Sequence, residues 1–295
     1  MRKGQHIEIR DPSWSLRLAW RGTPLFRWAW KRQLLERVLP VPFPARMAEY
    51  SLLASTDDDV RPSEPLLRLT LQAIQRAAEL RLDALDRRLP ADFPYPPSRW
   101  PGQHYRLLAA LTEVLQPRCV VEIGTGGGLS TLAFTHHLPP EGQVVTFDLI
   151  PWPQHPDSVL TTEDFADHRL RQYTDDLCDP IAFQRHHALL SRADLIFLDA
   201  AKDGVTEPTL LANLQQVPFL KPPLLVLDDI RVWTMLKVWR EIPYPKLDLT
   251  SFGSWTGTGL VEFGNERIGT EPLTGTSTAA DSPPAFKTIL PRKKH

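Results

Sequence analysis

Two short stretches carry most of the reactive side chains. Residues 199–204 read DAAKDG, which places Asp199, Lys202 and Asp203 after the apolar run ADLIFL, and Asp228-Asp229 closes the run LLVL. Both runs read as buried strands, so their carboxylates meet at one sheet edge if the strands are neighbours. Packing Asp199, Asp228 and Asp229 together costs free energy through like-charge repulsion unless a cation enters. An all-oxygen set of this kind suits Mg²⁺ or another hard divalent ion. A third stretch, CVVEIGTGGGLS at 119–130, ends an apolar run in Glu122 and then sets glycines at 124, 126, 127 and 128. Backbone without Cβ atoms turns freely and approaches a ligand closely. The run QVVTFDL follows and ends in Asp148, where an acid accepts both hydroxyls of a ribose.

These groups need a scaffold that brings strand ends together, and the chain supplies the pattern for one. From Gln103 helices and strands alternate: HYRLLAALTEVL, CVVEI, LSTLAFTHHL, QVVTFDL, RLRQYTDDL, IAFQRHHALLS, ADLIFLDA, EPTLLANLQQV, LLVLDDI and RVWTMLKVWREI. KLDLTSF and TGTGLVEF then follow with no helix between them. Alternation predicts a parallel sheet with right-handed crossovers, and the closing pair predicts an antiparallel edge. The expected fold is therefore α/β: a doubly wound, mostly parallel seven-stranded sheet with an antiparallel edge hairpin and a helical N-terminal extension. Ligands bind such sheets outside the carboxyl ends of the strands. We divide the chain into an extension at 1–100, a sheet domain at 101–264 and a Thr/Pro/Ser/Ala-rich tail at 265–295 expected to be disordered.

Within the extension, STDDDVRP at 55–62 reads as a linker. A long helix is expected over 63–89, capped by Ser63, with an apolar stripe of Leu67, Leu71, Ile74, Ala78, Leu82, Leu85 and Leu89. That stripe packs on the sheet domain or on a second copy in a homodimer. Residues 1–50 hold ten Lys or Arg against four acids, together with Trp14, Trp20, Trp28 and Trp30. This segment reads as a cap on the main domain, with peripheral membrane contact as the other reading.

Composition excludes several classes. The net charge of −1 over 295 residues gives no bias toward nucleic acid. Two cysteines make neither a disulfide framework nor a zinc site, which points to a reducing, cytoplasmic setting. No signal peptide and no run near the roughly 20 apolar residues of a membrane span is visible. The glycine loop misses the dinucleotide fingerprint because Leu129 stands at its sixth position, and it lacks the Gly-Lys-Ser/Thr of a P-loop. The pairs His136-His137 and His186-His187 point apart on helices and are read as surface residues.

Together, VVEIGTGGGLS and VVTFDL resemble the nucleoside-binding half of class I methyltransferases that use S-adenosylmethionine (SAM), over roughly residues 103–263. The resemblance implies a loop of Gly124, Thr125 and Gly126 around the cofactor. Glu122 would support the methionine amine, Ser130 the carboxylate end and Asp148 the ribose. Asp175 or Asp176 would meet the adenine amine, with Asp176 carried forward. DAAK and DD are similar to the Asp-x-x-Lys and Asp-Asn motifs of metal-dependent O-methyltransferases of the catechol and caffeoyl-CoA type. Asp229 in place of Asn resembles the macrocin-type sugar O-methyltransferases. The implied reaction is methylation of a small-molecule acceptor bearing vicinal hydroxyls, catechol or sugar. Asp199, which also borders the cofactor, would hold Mg²⁺ with Asp228 and Asp229, and Lys202 would take the proton. Trp233, Trp239, Trp255 and Tyr244 are expected in or near loops that flank the acceptor, with core packing the other reading and for Trp239 on its helix an equal one. Trp152 is expected to cover adenine and Gln103 to lie near the methionine end.

Competing readings follow from the same residues. The acids and Lys202 also suit helix caps and a solvated first turn, which would leave a metal-independent methyltransferase. An aminopropyltransferase shares this fold pattern, but DAAK and DD favour O-methylation. A nicotinamide oxidoreductase is opposed by the missing glycine. A non-catalytic SAM-fold binding protein is opposed by the full set of acids at 122, 148, 199, 228 and 229.

Overall fold

A computed structural model describes residues 60–264, apart from 91, 92, 94, 95 and 233. The basic Trp-rich segment, most of the expected linker, the 265–295 tail and Trp233 lie outside the described residues. Two helices come first, α1 (Glu64–Glu79) and α2 (Asp83–Asp86), followed by α3 (His104–Leu115). Then come β1 (Cys119–Ile123), α4 (Leu129–Thr135), β2 (Gln143–Phe147) and β3 (Leu170–Tyr173). After these run α5 (Pro180–Leu190), β4 (Leu195–Leu198), α6 (Thr206–Leu214), β5 (Leu224–Asp228), α7 (Met235–Glu241), β6 (Lys246–Asp248) and β7 (Thr258–Glu262).

The seven strands form one sheet in the order β3-β2-β1-β4-β5-β7-β6. The first five are parallel, and β7 runs antiparallel to both β5 and β6. Alternate residues of the apolar strands feed two cores, as strands covered on both faces require. Val120, Val144, Leu195, Phe197 and Val226 pack toward α1, α3 and α4. Val121, Val145, Ile196, Leu198 and Leu225 pack toward α5, α6 and α7. The order reverses between β1 and β4, so the ends of β1, β2, β4 and β5 converge where such sheets bind ligands.

Two helices differ from expectation. The long helix 63–89 breaks at Leu80, whose backbone is extended at ψ 138°. Leu80, Leu82 and Leu85 are all buried there, and a straight helix does not bury them together with α1's face. That face is Leu66, Thr70, Ala73 and Ala77, whereas Leu67 and Leu71 of the expected stripe are exposed at 41% and 61%. Helix α7 begins at Met235 rather than Arg231. The amides of Ile230 and Arg231 are already donated to the carbonyls of Gly257 and Thr256, which ties this turn to the sheet edge. Among the described residues, no helix is long and apolar enough to cross a membrane.

One buried cation holds the edge hairpin to α7. Lys246 is 3% exposed, and its Nζ donates to the carbonyls of Trp239 (2.7 Å), Arg240 (3.0 Å) and Ile242 (3.1 Å). It also lies 5.1 Å from the Trp239 ring centroid. These carbonyls lie at the C-terminus of α7, where a positive charge is favoured; that of Trp239 also accepts the Ile242 amide at 3.4 Å. Lys246→Met should cost about 2–4 kcal/mol, because it removes three charge-assisted bonds and leaves the Ile242 carbonyl without this donor in a buried place. At roughly 2–4 °C per kcal/mol for a domain this size, Tm should fall by about 5–15 °C in a thermal melt. An unchanged Tm would show that the cap is dispensable.

Candidate active site

Beyond the carboxyl ends of the strands lies a cleft of about 590 Å³. Its floor is the turn after β1. Gly124 has φ +105°, and a Cβ there would stand 1.9 Å from the Asp199 carbonyl, so this position excludes a side chain. Gly126, with φ +49°, has nothing within 4 Å of its missing Cβ; it faces open space where a ligand can approach. Asp148 pins the turn from the neighbouring strand: its Oδ2 accepts from the Gly126 amide at 2.9 Å and its Oδ1 from the Ile150 amide at 2.9 Å. A carboxylate has about four acceptor positions, so each oxygen keeps capacity for a ligand hydroxyl. Gly124, Thr125, Gly126, Ser130, Asp148, Asp176 and Asp199 all line the cleft. The Thr125 hydroxyl is turned inward, 2.7 Å from that of Thr146.

The structure distinguishes the two acids after β3. Asp175 is engaged by Arg185 at 2.7 Å and by His186 at 2.8 Å, and the His186 bond holds its carboxyl below the usual range. Asp176 is exposed and accepts from the Cys178 amide at 2.8 Å, so it keeps more acceptor capacity toward the cleft. His186 is thereby corrected: it is 8% exposed, packed between Phe147 and Tyr173, and not a surface residue.

Glu122 lies behind the loop and does not line the cleft. It is fully buried, accepts from the Thr131 hydroxyl at 2.5 Å and has no hydrogen-bond partner at Oε1. Burial pushes its carboxyl up to about 7, against the opposing influence of the Ser130, Thr131 and Thr146 hydroxyls. The folded chain thus keeps this proton where the unfolded chain has lost it. The contribution is complete below about pH 4.5 and is lost as pH rises to about 7. Glu122→Gln cannot ionise. Its Tm relative to the wild type should therefore rise between pH 5 and pH 8 in ligand-free melts, and a constant difference would contradict the assignment.

At the neighbouring strand ends, one oxygen each from Asp199, Asp228 and Asp229 lies within 4.8 Å of the others. Lys202 enters this cluster. Its Nζ pairs with Asp199 and lies 3.2 Å from Asp229. It is therefore not a solvated helix residue, and in the turn that leads into α6 Asp203 accepts from the amides of Val205 and Thr206 at 2.8 Å. Asp228 is buried, its Oδ1 lacks a hydrogen-bond partner, and burial pushes its carboxyl up. His104 Nδ1 stands 3.5 Å from that oxygen.

Several contributors were not anticipated. Glu207 is fully buried on α6, and its Oε1 accepts the Lys202 amide at 2.6 Å. Thr234 donates to the Lys202 carbonyl at 3.0 Å, so both sides of the Lys202 backbone, in the left-handed region at φ +55°, are held. A glutamate in a helix reads as solvated, and nothing local marks Glu207 otherwise. Tyr105, Leu149 and Ile150 supply apolar walls, the last two exposed directly after Asp148.

The expected aromatic positions are redistributed. Trp152 stacks on Phe165 at 5.2 Å, Trp239 is core, and Tyr244 packs on Phe263; none of these lines the cleft. Gln103 likewise lies outside it, its side chain accepting from Arg106 at 3.3 Å. Trp255 is 63% exposed and 5.9 Å from Trp100, with their loops joined by the Trp255 amide donating to Pro101 at 3.1 Å.

No family model matches the chain. Over 94 residues it is 33% identical to the transmembrane O-methyltransferases of Homo sapiens and Pan troglodytes, a match that covers 32% of this chain and 32% of each relative. The match thus spans about a third of the length of these curated relatives. Among solved structures, the chain is similar to the O-methyltransferase TomG of Streptomyces achromogenes in complex with SAM, at 19% identity and a TM-score of 0.41, covering 70% of this chain and 92% of that one. It is also similar to an O-methyltransferase of Bacillus cereus in complex with S-adenosylhomocysteine (SAH), at 17% identity and a TM-score of 0.39, covering 70% and 94%.

Proposed function

We propose that this chain methylates a hydroxyl of a small molecule, with SAM as methyl donor. The observation that carries the reading is one juxtaposition: an open Gly126 turn pinned by Asp148 lies beside Lys202 set between Asp199 and Asp229. The 94-residue match to transmembrane O-methyltransferases supports it. The cleft fits the nucleoside: Asp148 for the ribose, Asp176 for the exocyclic amine, and Leu149, Ile150 and Leu177 for the ring faces. Ser130, which lines the cleft, suits the methionine end, and Glu122 supports the turn from behind it. SAM supplies an electrophilic methyl group on a sulfonium.

The remaining chemistry is the chain's own. Asp199 and Asp229 hold the Lys202 Nζ in place. Once those carboxylates are taken over by a cation and the ammonium has given up its proton to solvent, this amine would take the acceptor's proton. Asp199, Asp228 and Asp229 also fit a divalent cation, because their oxygens converge and Asp228 Oδ1 is unpartnered. A bound cation would lower the acceptor hydroxyl's pKa. The loop carrying Trp255 is tied to residues 230–231, directly after Asp229. An exposed pair of rings at that place suits a planar acceptor such as a catechol, with a sugar face as the second reading.

The test is transfer of label from methyl-labelled SAM to 3,4-dihydroxybenzoate and to a vicinal-diol sugar, with Mg²⁺ and with EDTA. We expect a monomethyl ether of at least one. SAH binding without transfer to any diol would instead favour a non-catalytic SAM-binding protein.

A further inference from the structure

The connection from β2 to β3 departs from the usual parallel crossover. Parallel neighbours are normally joined by a helix lying on the sheet. Here the two strands are linked only through short 3₁₀ turns at Trp152–Gln154 and Thr162–Phe165. Pro151, Pro153 and Pro156 remove amide donors that an α-helix needs. The segment runs as a strap over the glycine turn. The Val159 amide donates to the Gly127 carbonyl at 2.9 Å. A Cβ on Gly127 would come within 2.8 Å of the Asp157 carbonyl oxygen, and one on Gly128 within 2.4 Å of Leu160 Cγ. These two glycines are bare because the strap lies on them, whereas Gly126 is left open.

Among the described residues, one side chain of the helical extension hydrogen-bonds to the strap. Arg88, just past α2, donates to both Asp164 oxygens at 2.5 and 3.1 Å, and to Val159 O and Thr161 Oγ1 at 3.4 Å each. Asp164 in turn accepts the Thr161 amide at 2.8 Å. The Asp164 side chain is 7% exposed and that of Arg88 25%, so the bidentate pair is partly covered.

We propose that Arg88 is a positioning residue for the cofactor turn: it fixes the strap, and the strap holds residues 126–128 in their ligand-accepting shape. The proposal rests on the cleft being the SAM site. Removing the guanidinium leaves the largely covered Asp164 carboxylate without a counter-charge, held only by the Thr161 amide and hydroxyl, which favours strap conformations that expose it. If the turn is then competent about a tenth of the time, SAH affinity falls about tenfold.

The experiment is calorimetry of the full chain with SAH, well below Tm, on the wild type, Arg88→Met, Asp164→Asn, their double variant and Arg88→Lys. Hydrogen exchange of the Val159 amide is followed in parallel. We expect both single variants to bind about tenfold more weakly, the double to be no worse than either, Arg88→Lys to recover part of the loss, and Val159 to exchange faster. Arg88→Met with a lowered Tm but wild-type SAH affinity and Val159 exchange would overturn the proposal. Should Arg88→Met not fold, Asp164→Asn breaks the same pair from the strap side and decides by the same two readouts. A wild type that does not bind SAH refutes the SAM reading, and with it any role for Arg88 in cofactor binding.

Discussion

Asp148→Ala is expected to abolish measurable SAH binding while the protein stays folded. The residue has two tasks that no neighbour duplicates. Its Oδ2 fixes the Gly126 amide and its Oδ1 fixes the Ile150 amide, so it shapes the turn beneath the ligand and the apolar shelf beside it. It is also the acid placed to accept a ribose's hydroxyls. Hydrogen bonds to a charged acceptor contribute roughly 1.5–3 kcal/mol each, so losing two of them corresponds to about 10²–10⁴ in affinity. Asp148→Asn keeps one carbonyl oxygen and should fall between. Calorimetry of the three proteins checks this, and equal affinities would place the nucleoside elsewhere.

Lys202→Met is expected to leave SAH binding intact and to lower kcat by about 10²–10⁴, the span of a positioned proton acceptor. The separation follows from the geometry. The Lys202 backbone is held by Glu207 and Thr234, so removing the side chain leaves the turn that supports it in place. What is lost is the Nζ between Asp199 and Asp229. The same change removes a positive charge from three converging carboxylates, so Mg²⁺ should bind the variant more tightly than the wild type. Labelled-methyl transfer and Mg²⁺ calorimetry read the two effects separately. A kcat within error of the wild type would exclude Lys202 as the proton acceptor.

The parts of this account visible in the sequence are those with local causes. CVVEI and LLVLD are apolar but for Glu122 and Asp228 because both sheet faces are covered, and a bare turn or an acid at a strand end stands out against such runs. The neighbouring placement of β4 and β5 follows from topology, and with it the meeting of Asp199 with Asp228 and Asp229. The errors arise where two local choices are nearly equal or where a contact is distant. Leu66, Leu67, Leu69 and Leu71 are all apolar, so spacing alone does not decide which face of α1 is buried; packing on α3 selects Leu66 and leaves Leu71 out. Glu207 and His186 look like solvated helix residues, and only the fold brings them to Lys202 and Asp175. The Arg88–Asp164 pair spans 76 positions, and no periodicity signals it.

The most direct test of the central claim is calorimetric titration of the wild-type chain with SAH, alongside Asp148→Ala and Lys202→Met. Single-site binding is expected for the wild type and for Lys202→Met, and none for Asp148→Ala. Absence of binding to the wild type at millimolar SAH, or binding that Asp148→Ala leaves unchanged, would contradict that claim.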